Sequence, residues 1–466
     1  MIYNKLYERF FWLSLIIIFL FGGYCNGISL RDEDPTTRDK YLAVFKEAYH
    51  NVRLMYPDRK KANRKNLFMG ALSGMFEALG DPHSIFLDAR TLAYLESQVI
   101  GSFGGLGFSI MNRDNEIIIL YTLPNTPARR ADIRSRDRII EINGKPINKL
   151  SLSKIMKKLR GKPSSPIKLT ILRGRSKQRI EKALSREIIS AKEVDTHIFE
   201  GGIGYIRLRQ FSNFAAIFVK EELIKLKNKK VKGLIFDLRG NPGGSLHSCL
   251  YIINYFLDGE KKLVYIKGSK DKPGQFHKSN NNNVVFPNVP LVVLANEGSA
   301  SASEIFVGAI QDHNRGIVIG NKTYGKGSVQ TYTASSSGMN VGYKVTIAKW
   351  YTPNGRAING VGLEPNIKIK SPDYTLDDKY YIYKLLKIKL IENYVEDHPN
   401  LTKDEIREFI KLARKEGIKL KKSILVYLLK SEKYMYEPDI VTDMSYDKVL
   451  KAGWENLVKR IKITNK

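Results

Sequence analysis

The chain has 466 residues, 43% of them hydrophobic and 27% charged, with a formal charge of +30 at pH 7. That length exceeds one ordinary domain and implies two or three compact units, and the composition excludes a disordered chain. The basic residues come in small clusters (RKKANRK, KNKKVK, LARKEGIKLKKS) mixed with acids and apolar positions, which reads as solvated lysine-rich faces, with attraction to an anionic envelope surface as the second reading, and implies no specific nucleic-acid partner.

Residues 1–27 open with MIYNKLYERF, run through FFWLSLIIIFLF and reach Gly22 and Gly23. A cationic start, a short apolar stretch and small residues have the shape of a signal peptide, and the stretch is short of the roughly 20 residues a spanning helix needs. An uncleaved anchor or a lipid on Cys25 are the alternatives. All three place the remaining chain outside the cytoplasm. Cys249 is the only other cysteine, so no internal disulfide is expected.

Residues 36–97 have helical periodicity: Leu42, Phe45 and Tyr49 share a face, and NLFMGALSGMFEALG repeats the pattern before stopping at Gly80. Between 98 and 186 the texture changes to short strand-like runs, GFSI, EIIILYTL, RIIEING and IKLTILR. From 200 onward strand-like and helix-like segments alternate: GIGYIRL, AIFVKEELIKLKN, GLIFDLRG, HSCLYIINYFL, PLVVLAN, SEIFVGAIQDH and GIVIG. That order predicts an α/β core with parallel strands. KGSKDKPGQFHKSNNNN reads as a mobile surface loop. Residues 371–466 are charged and helix-forming, without visible chemistry.

The chemistry concentrates in ANEGSASASEIF, 295–306, where a strand-like run meets a helix-like one. Ser301 and Glu304 are spaced as a capping box, so a plain helix start is one reading. The other is nucleophilic: a serine at a strand-to-helix turn projects its hydroxyl at the sheet edge, and the next N–H, of Ala302, can face an oxyanion. Such a serine needs a base. None of the seven histidines suits, since His313 belongs at the far end of the same helix, about 20 Å away. Lys326, between Gly325 and Gly327, follows the return strand GIVIG; read by itself it is a surface turn lysine, and the other reading makes it the base, with Gln330 spaced to orient it. GNKTYGKG imitates a phosphate loop, but glycine stands where that motif requires Ser or Thr, and strand formers follow. DLRGNPGGSL, 237–246, ends a buried strand in a turn whose paired glycines, Gly243 and Gly244, offer a second oxyanion donor or simply a chain reversal.

Taken together, DLRGNPGGSL, NEGSASASEIF, YGKGSVQ and YTPNGRAINGVGLEPNI resemble, in order and spacing, the carboxyl-terminal processing peptidases, the tail-specific Ser–Lys proteases of family S41. LGDPHSIFL resembles the leader into their PDZ domain, GGLGF its carboxylate-binding loop, and PNTPARRADIRSRDRIIEINGKPI its core. The resemblance implies a crotonase/ClpP-like α/β protease core (187–370) with an inserted PDZ domain (98–186), flanked by an N-terminal helical region (36–97) and a basic helical extension (371–466). It implies Ser301 as nucleophile, Lys326 as general base and Gln330 as the residue orienting it. The oxyanion donors would be the N–H of Ala302 and of Gly243 or Gly244, and the N–H groups of Leu106, Gly107 and Phe108 would hold a substrate C-terminus. It implies no metal or cofactor, apolar protein C-termini as substrates, and an exported enzyme that could form a homo-oligomer. The chain departs from the family's pattern at Asp132 and Arg136, where glycine is usual; these substitutions are expected to shift a turn into another conformation.

Overall fold

The computed structural model describes residues 35–100, 102–190, 193–268, 273–369, 373–437, 439 and 441–464. The segment read as a signal peptide or anchor, with Cys25, lies outside them. Among the described residues no helix is long and apolar enough to cross a membrane. The chain divides into two units, Met1–Pro82 and His83–Lys466. In the first, α1 (Pro35–Met55) is followed by α2 (Arg64–Glu77), whose N-cap Asn63 accepts from the Asn66 N–H at 2.9 Å. Tyr41, Leu42, Phe45 and Met55 of α1 are exposed.

The second unit starts with β1 (Ile85–Leu87), α3 (Ala89–Ile100) and β2 (Ser102–Gly105). Next come β3 (Phe108–Arg113), β4 (Glu116–Thr122), α4 (Pro127–Arg130), β5 (Arg138–Ile142), β6 (Lys145–Pro146), α5 (Leu152–Leu159), β7 (Pro166–Arg173), β8 (Gln178–Ser185) and β9 (Glu187–Ser190). Strands β3, β4, β5, β7 and β8 form one antiparallel sheet in that order, with β6 on β5, around a core of Ile119, Ile139, Ile155, Leu169 and Ile171. Strand β3 lies at its edge. Because β2 pairs with β9, this inserted body leaves and rejoins the chain at one place. Asp132 and Arg136 have φ of 55° and 70°, so the turns keep the left-handed conformation that glycine would favour, contrary to the expected shift. Arg173 holds Asp132 in place, donating to its carboxylate at 3.0 Å and to its carbonyl at 2.5 Å.

The remaining chain supplies β10 (Val194–Phe199), β11 (Ile203–Leu208), α6 (Ala215–Asn228), β12 (Gly233–Asp237), α7 (Leu246–Asn254), β13 (Lys262–Lys267), β14 (Gln275–Lys278), β15 (Leu291–Ala295), α8 (Ala302–Asp312), β16 (Ile317–Gly320), β17 (Ser328–Ala334), β18 (Gly342–Tyr351) and β19 (Ile367–Lys368). The central sheet runs β10-β11-β12-β15-β16-β19, parallel except for β10. Its inner strands, β11, β12 and β15, are buried on both faces. Leu234, Phe236, Leu291 and Val293 pack toward α6, α7 and α8, while Ile235, Val292, Leu294 and Ile319 pack against Leu450 and Leu457 of the last helix. A second, antiparallel sheet runs β1-β18-β13-β14, with β17 also on β18. It takes in part of the expected mobile loop: Gln275–Lys278 are β14, paired with β13, and residues 269–272 lie outside the described set. The C-terminal region forms α9 (Leu376–Lys387), α10 (Leu390–Asp397), α11 (Lys403–Lys415), α12 (Lys422–Met435) and α13 (Lys448–Thr464). The first four enclose their own core of Leu385, Phe409, Leu425 and Leu429, and α13 covers the central sheet.

Candidate active site

The carboxyl ends of β12, β15 and β16 deliver three turns to one edge of the central sheet, where ligands of open α/β sheets bind. From β15 the chain turns through three serines with different fates. Ser299 and Ser303 are fully buried; Ser299 Oγ donates to the Leu238 carbonyl at 2.8 Å and Ser303 Oγ to the Asn241 carbonyl at 2.9 Å. Ser301 is half-buried and its hydroxyl makes no cap hydrogen bond; only the backbone half of the capping box, from the Ser301 N–H to the Glu304 carboxylate, is formed. Its backbone has φ 55° and ψ −114°, a conformation that costs a non-glycine residue about 1–3 kcal/mol and persists only where surrounding contacts impose it. The anchored flanking serines and the bond from Ala300 N–H to the Asn241 carbonyl at 3.0 Å impose it here.

Glu304, read in the sequence only as a cap, is the hub of the site. It is fully buried, and its carboxylate accepts four hydrogen bonds. Oε2 takes the Ser301 N–H and the Lys326 N–H, both at 2.8 Å; Oε1 takes the Gly325 N–H at 2.7 Å and the Thr323 hydroxyl at 2.6 Å. One oxygen therefore brings together the backbones of Ser301 and Lys326 across 25 residues of sequence, and the helix N-terminus favours a negative charge there. The apparent phosphate loop thus spends the N–H groups of Gly325 and Lys326 on a carboxylate of its own chain and continues into β17. The detectable signal was a single charged residue in the otherwise uncharged run ASEIFVGAI, every residue of which is buried.

Lys326 is half-buried, and its carbonyl accepts from Trp350 Nε1 at 3.0 Å. Glycines flank it because residues 359–362 press against the turn: a Cβ at Gly325 would lie 2.9 Å from Gly362 N, and one at Gly327 2.6 Å from Asn359 N. Gln330, on β17, donates from Nε2 to Ser328 Oγ at 2.7 Å and to Thr346 Oγ1 at 3.3 Å. Those two bonds orient the amide and leave its oxygen as an acceptor. His313 is the C-cap of α8, with Nε2 2.6 Å from the Lys262 carbonyl, and His247 rests edge-on against Tyr251.

The third turn follows β12. Buried Asn241 holds it, with Nδ2 donating to the Leu208 carbonyl and Oδ1 accepting from the Gly243 N–H, both at 2.9 Å. The Gly243 N–H is therefore occupied, and the Gly244 N–H is the one the turn leaves over among the described residues. Gly243 (φ 95°) touches the serine turn so closely that a Cβ would lie 2.6 Å from the Ala300 carbonyl and 2.8 Å from Ala302 N; at Gly244 (φ 142°) it would lie 2.1 Å from the Phe211 carbonyl. Upstream, buried Asp237 accepts from Tyr205 and from Arg239, which also donates to Asp447. Burial alone would raise the Asp237 carboxyl; Arg239 beside it outweighs this and holds it below the usual carboxylate range. Cys249, whose Sγ lies 3.0 Å from the Ala302 carbonyl, has its thiol pushed up by burial, which makes it unreactive.

In the inserted body, the carbonyls of Leu106 and Gly107 accept from Ala128 N–H and Leu123 N–H at 2.9 and 2.8 Å. Gly107 has φ 82°, and a Cβ there would lie 2.2 Å from Thr126 Cβ. The loop thus spends its carbonyls on its neighbours and leads through Phe108 into edge strand β3.

Residues 202–369 match the family described as Peptidase family S41, and residues 97–172 match the PDZ domain. Carboxy-terminal processing protease CtpB of Bacillus subtilis (strain 168) is 32% identical over 393 residues, 80% of this chain and 80% of its own length. The carboxy-terminal-processing protease of Bartonella bacilliformis is 36% identical over 351 residues, 74% of this chain and 78% of its own. Among solved structures, the photosystem II D1 C-terminal processing protease is 26% identical and aligns over 70% of this chain and 92% of its own, with a TM-score of 0.45.

Proposed function

The chain belongs to Peptidase family S41, as a carboxy-terminal processing serine peptidase with a PDZ domain, and on that premise we propose that Ser301 and Lys326 form its catalytic dyad. The proposed limits are 98–186 for the PDZ domain and 187–370 for the peptidase core. The observation that carries the reading is the shared Glu304 oxygen, which accepts from the backbone N–H of both residues at 2.8 Å.

Neutral Lys326 accepts the Ser301 proton as the hydroxyl oxygen bonds to the scissile carbonyl carbon. The resulting oxyanion lies between the N–H groups of Ala302 and Gly244, an assignment supported by the use of the Gly243 N–H on Asn241. The lysine then protonates the departing amine, which leaves an acyl-enzyme on Ser301. Water attacks that ester with Lys326 again as base, and the new C-terminus is released. The Gln330 amide oxygen accepts from the ammonium while Lys326 is charged. No step calls for a metal or nucleotide.

The Leu106–Phe108 loop captures the carboxylate of a substrate with an apolar C-terminus, and the peptide adds as a strand beside β3. Its protein substrates are extracytoplasmic, reached through export by the N-terminal segment. The test is cleavage of a peptide of about 20 residues with an apolar free C-terminus. Ser301→Ala and Lys326→Ala should each abolish cleavage, while Ser299→Ala leaves detectable turnover. Because the base must be neutral, kcat/KM should climb with pH; a profile set by a histidine-like group near 6.5 counts against Lys326.

A further inference from the structure

The PDZ body is fastened to the C-terminal helices by a buried charge cluster that the proposed reaction does not use. Arg113, the last residue of edge strand β3, donates from Nη1 to both carboxylate oxygens of Glu432 on α12, at 3.0 and 3.1 Å. Arg136 Nη1 lies 3.7 Å from Glu432 Oε1, and its guanidinium carbon sits 4.0 Å from the centre of the Tyr436 ring. Glu432 is 5% exposed, and the two arginine side chains are 18% and 20% exposed. A carboxylate buried to that degree is retained only with its partners in place. Arg136 meets it from a backbone with φ 70°, a conformation unfavourable to any residue but glycine.

The connection continues to the active-site turns. Two residues to either side of Glu432, Lys430 and Tyr434 of α12 both donate to Asp443, at 2.5 and 2.7 Å. Four residues on, Asp447 caps the start of α13 by accepting from the Leu450 N–H, and it also accepts from Arg239 at 2.8 Å. Arg239 grips Asp237, where β12 ends and the Gly243–Gly244 turn begins. Helix α12 thus carries polar contacts to the end of the PDZ edge strand and to the joint with α13, and Asp447 at that joint meets Arg239 beside the strand that leads into the oxyanion turn.

We infer that the C-terminal helices are a strut that fixes the PDZ groove relative to the peptidase core, with Arg113, Arg136 and Glu432 as positioning residues at its PDZ end. Contiguity alone does not establish coupling, so the strut is tested by breaking it. Its placement role stands on the contacts above, and its effect on substrate rests on the proposed capture of a C-terminus by the PDZ domain.

Two full-length variants separate the strut from a folding defect. Glu432→Gln removes the charge that both arginines face. Arg136→Gly removes one partner while relieving the backbone at φ 70°, so the turn itself is retained. With spin labels at exposed positions 145 on the PDZ body and 260 on the core, the distance distribution should be narrow in the parent and broaden in both variants. Unchanged distributions in both overturn the strut. In the second arm, kcat/KM is compared for an apolar peptide with a free or an amidated C-terminus. The free-to-amide preference should fall about fivefold or more in each variant, mainly through KM, the size of a moderate coupling between sites. The rate of Ser301 labelling by a small fluorophosphonate should stay within about twofold of the parent, because that probe needs no PDZ contact. Equal loss for free and amidated peptides, with slowed labelling, overturns the positioning role in favour of general destabilisation. If the parent itself shows no preference for the free C-terminus, the proposed capture mode fails, and the distance arm alone decides the strut.

Discussion

Two residues without a proposed chemical role decide whether the site exists. Gly243 has φ 95° and leaves no room for a Cβ beside the Ala300 carbonyl and Ala302 N, the backbone from which an oxyanion donor is proposed. Gly243→Ala should therefore misplace both proposed donors and lower kcat by about 10²–10³, the loss found when one oxyanion donor is removed, with KM little changed. Steady-state kinetics on one peptide check this, and a rise in KM with kcat intact would refute it. Glu304 accepts four hydrogen bonds, which an ionised carboxylate can do. Glu304→Gln is the same size, but its amide nitrogen would face N–H donors and leave buried groups unsatisfied. The expected cost is about 2–4 kcal/mol in urea unfolding, together with loss of activity, because the Ser301 and Lys326 turns lose their common anchor. A folded, fully active Gln variant would show that the hub is incidental.

At the scale of elements, the final helix differs most from its reading in the sequence. Residues 371–466 read as a charged extension, yet Leu450 and Leu457 are fully buried against Ile235, Val292 and Leu294 of the central sheet. Leu457→Ala should cost about 2–5 kcal/mol, and Leu457→Asp should prevent recovery of soluble protein; a Tm within a degree or two of the parent for Leu457→Ala would refute the packing. The parallel strands were legible because a strand buried on both faces is continuously apolar, as in LIF and LVVLA. The helices between them were legible from periodicity, and so was the meeting of the serine, lysine and glycine turns at one sheet edge. The second sheet was not. Strand β14 is spelled QFHK, and β18 alternates as a half-exposed strand, so neither stands out from polar surroundings. Glu304 was hidden by its own capping signature, and Asn241 by the proline and glycines around it, whose turn chemistry accounts for the motif without it. Arg136 shows the opposite limit: a departure from glycine that suggested a distorted turn keeps the turn and serves an interdomain contact, which only three-dimensional proximity reveals.

At the scale of the whole molecule, a chain of formal charge +30 repels itself, and that repulsion grows as carboxylates are protonated. Beside the apolar packing of α13, the joint between α12 and α13 and its polar contact with the core rest on carboxylates, Asp443 and Asp447. Burial would raise Asp443, but the bonds from Lys430, Ser445 and Tyr434 outweigh it and hold its carboxyl far below the ordinary range; Asp237 is likewise lowered by Arg239. For a carboxyl lowered on folding, the stabilisation is fully present above the unfolded value, near 4, and is lost as pH falls toward the folded one. Stability should therefore hold from pH 7 down to about 5 and fall steeply below about 4. Asp443→Asn should lower the urea midpoint at pH 7, and the gap between variant and parent should stay constant down to about pH 5 and narrow below about pH 4, since the parent loses there what the variant already lacks. A gap that stays constant from pH 7 to pH 3 would mean that the Asp443 charge contributes nothing, and that α12 and α13 are held together by packing alone.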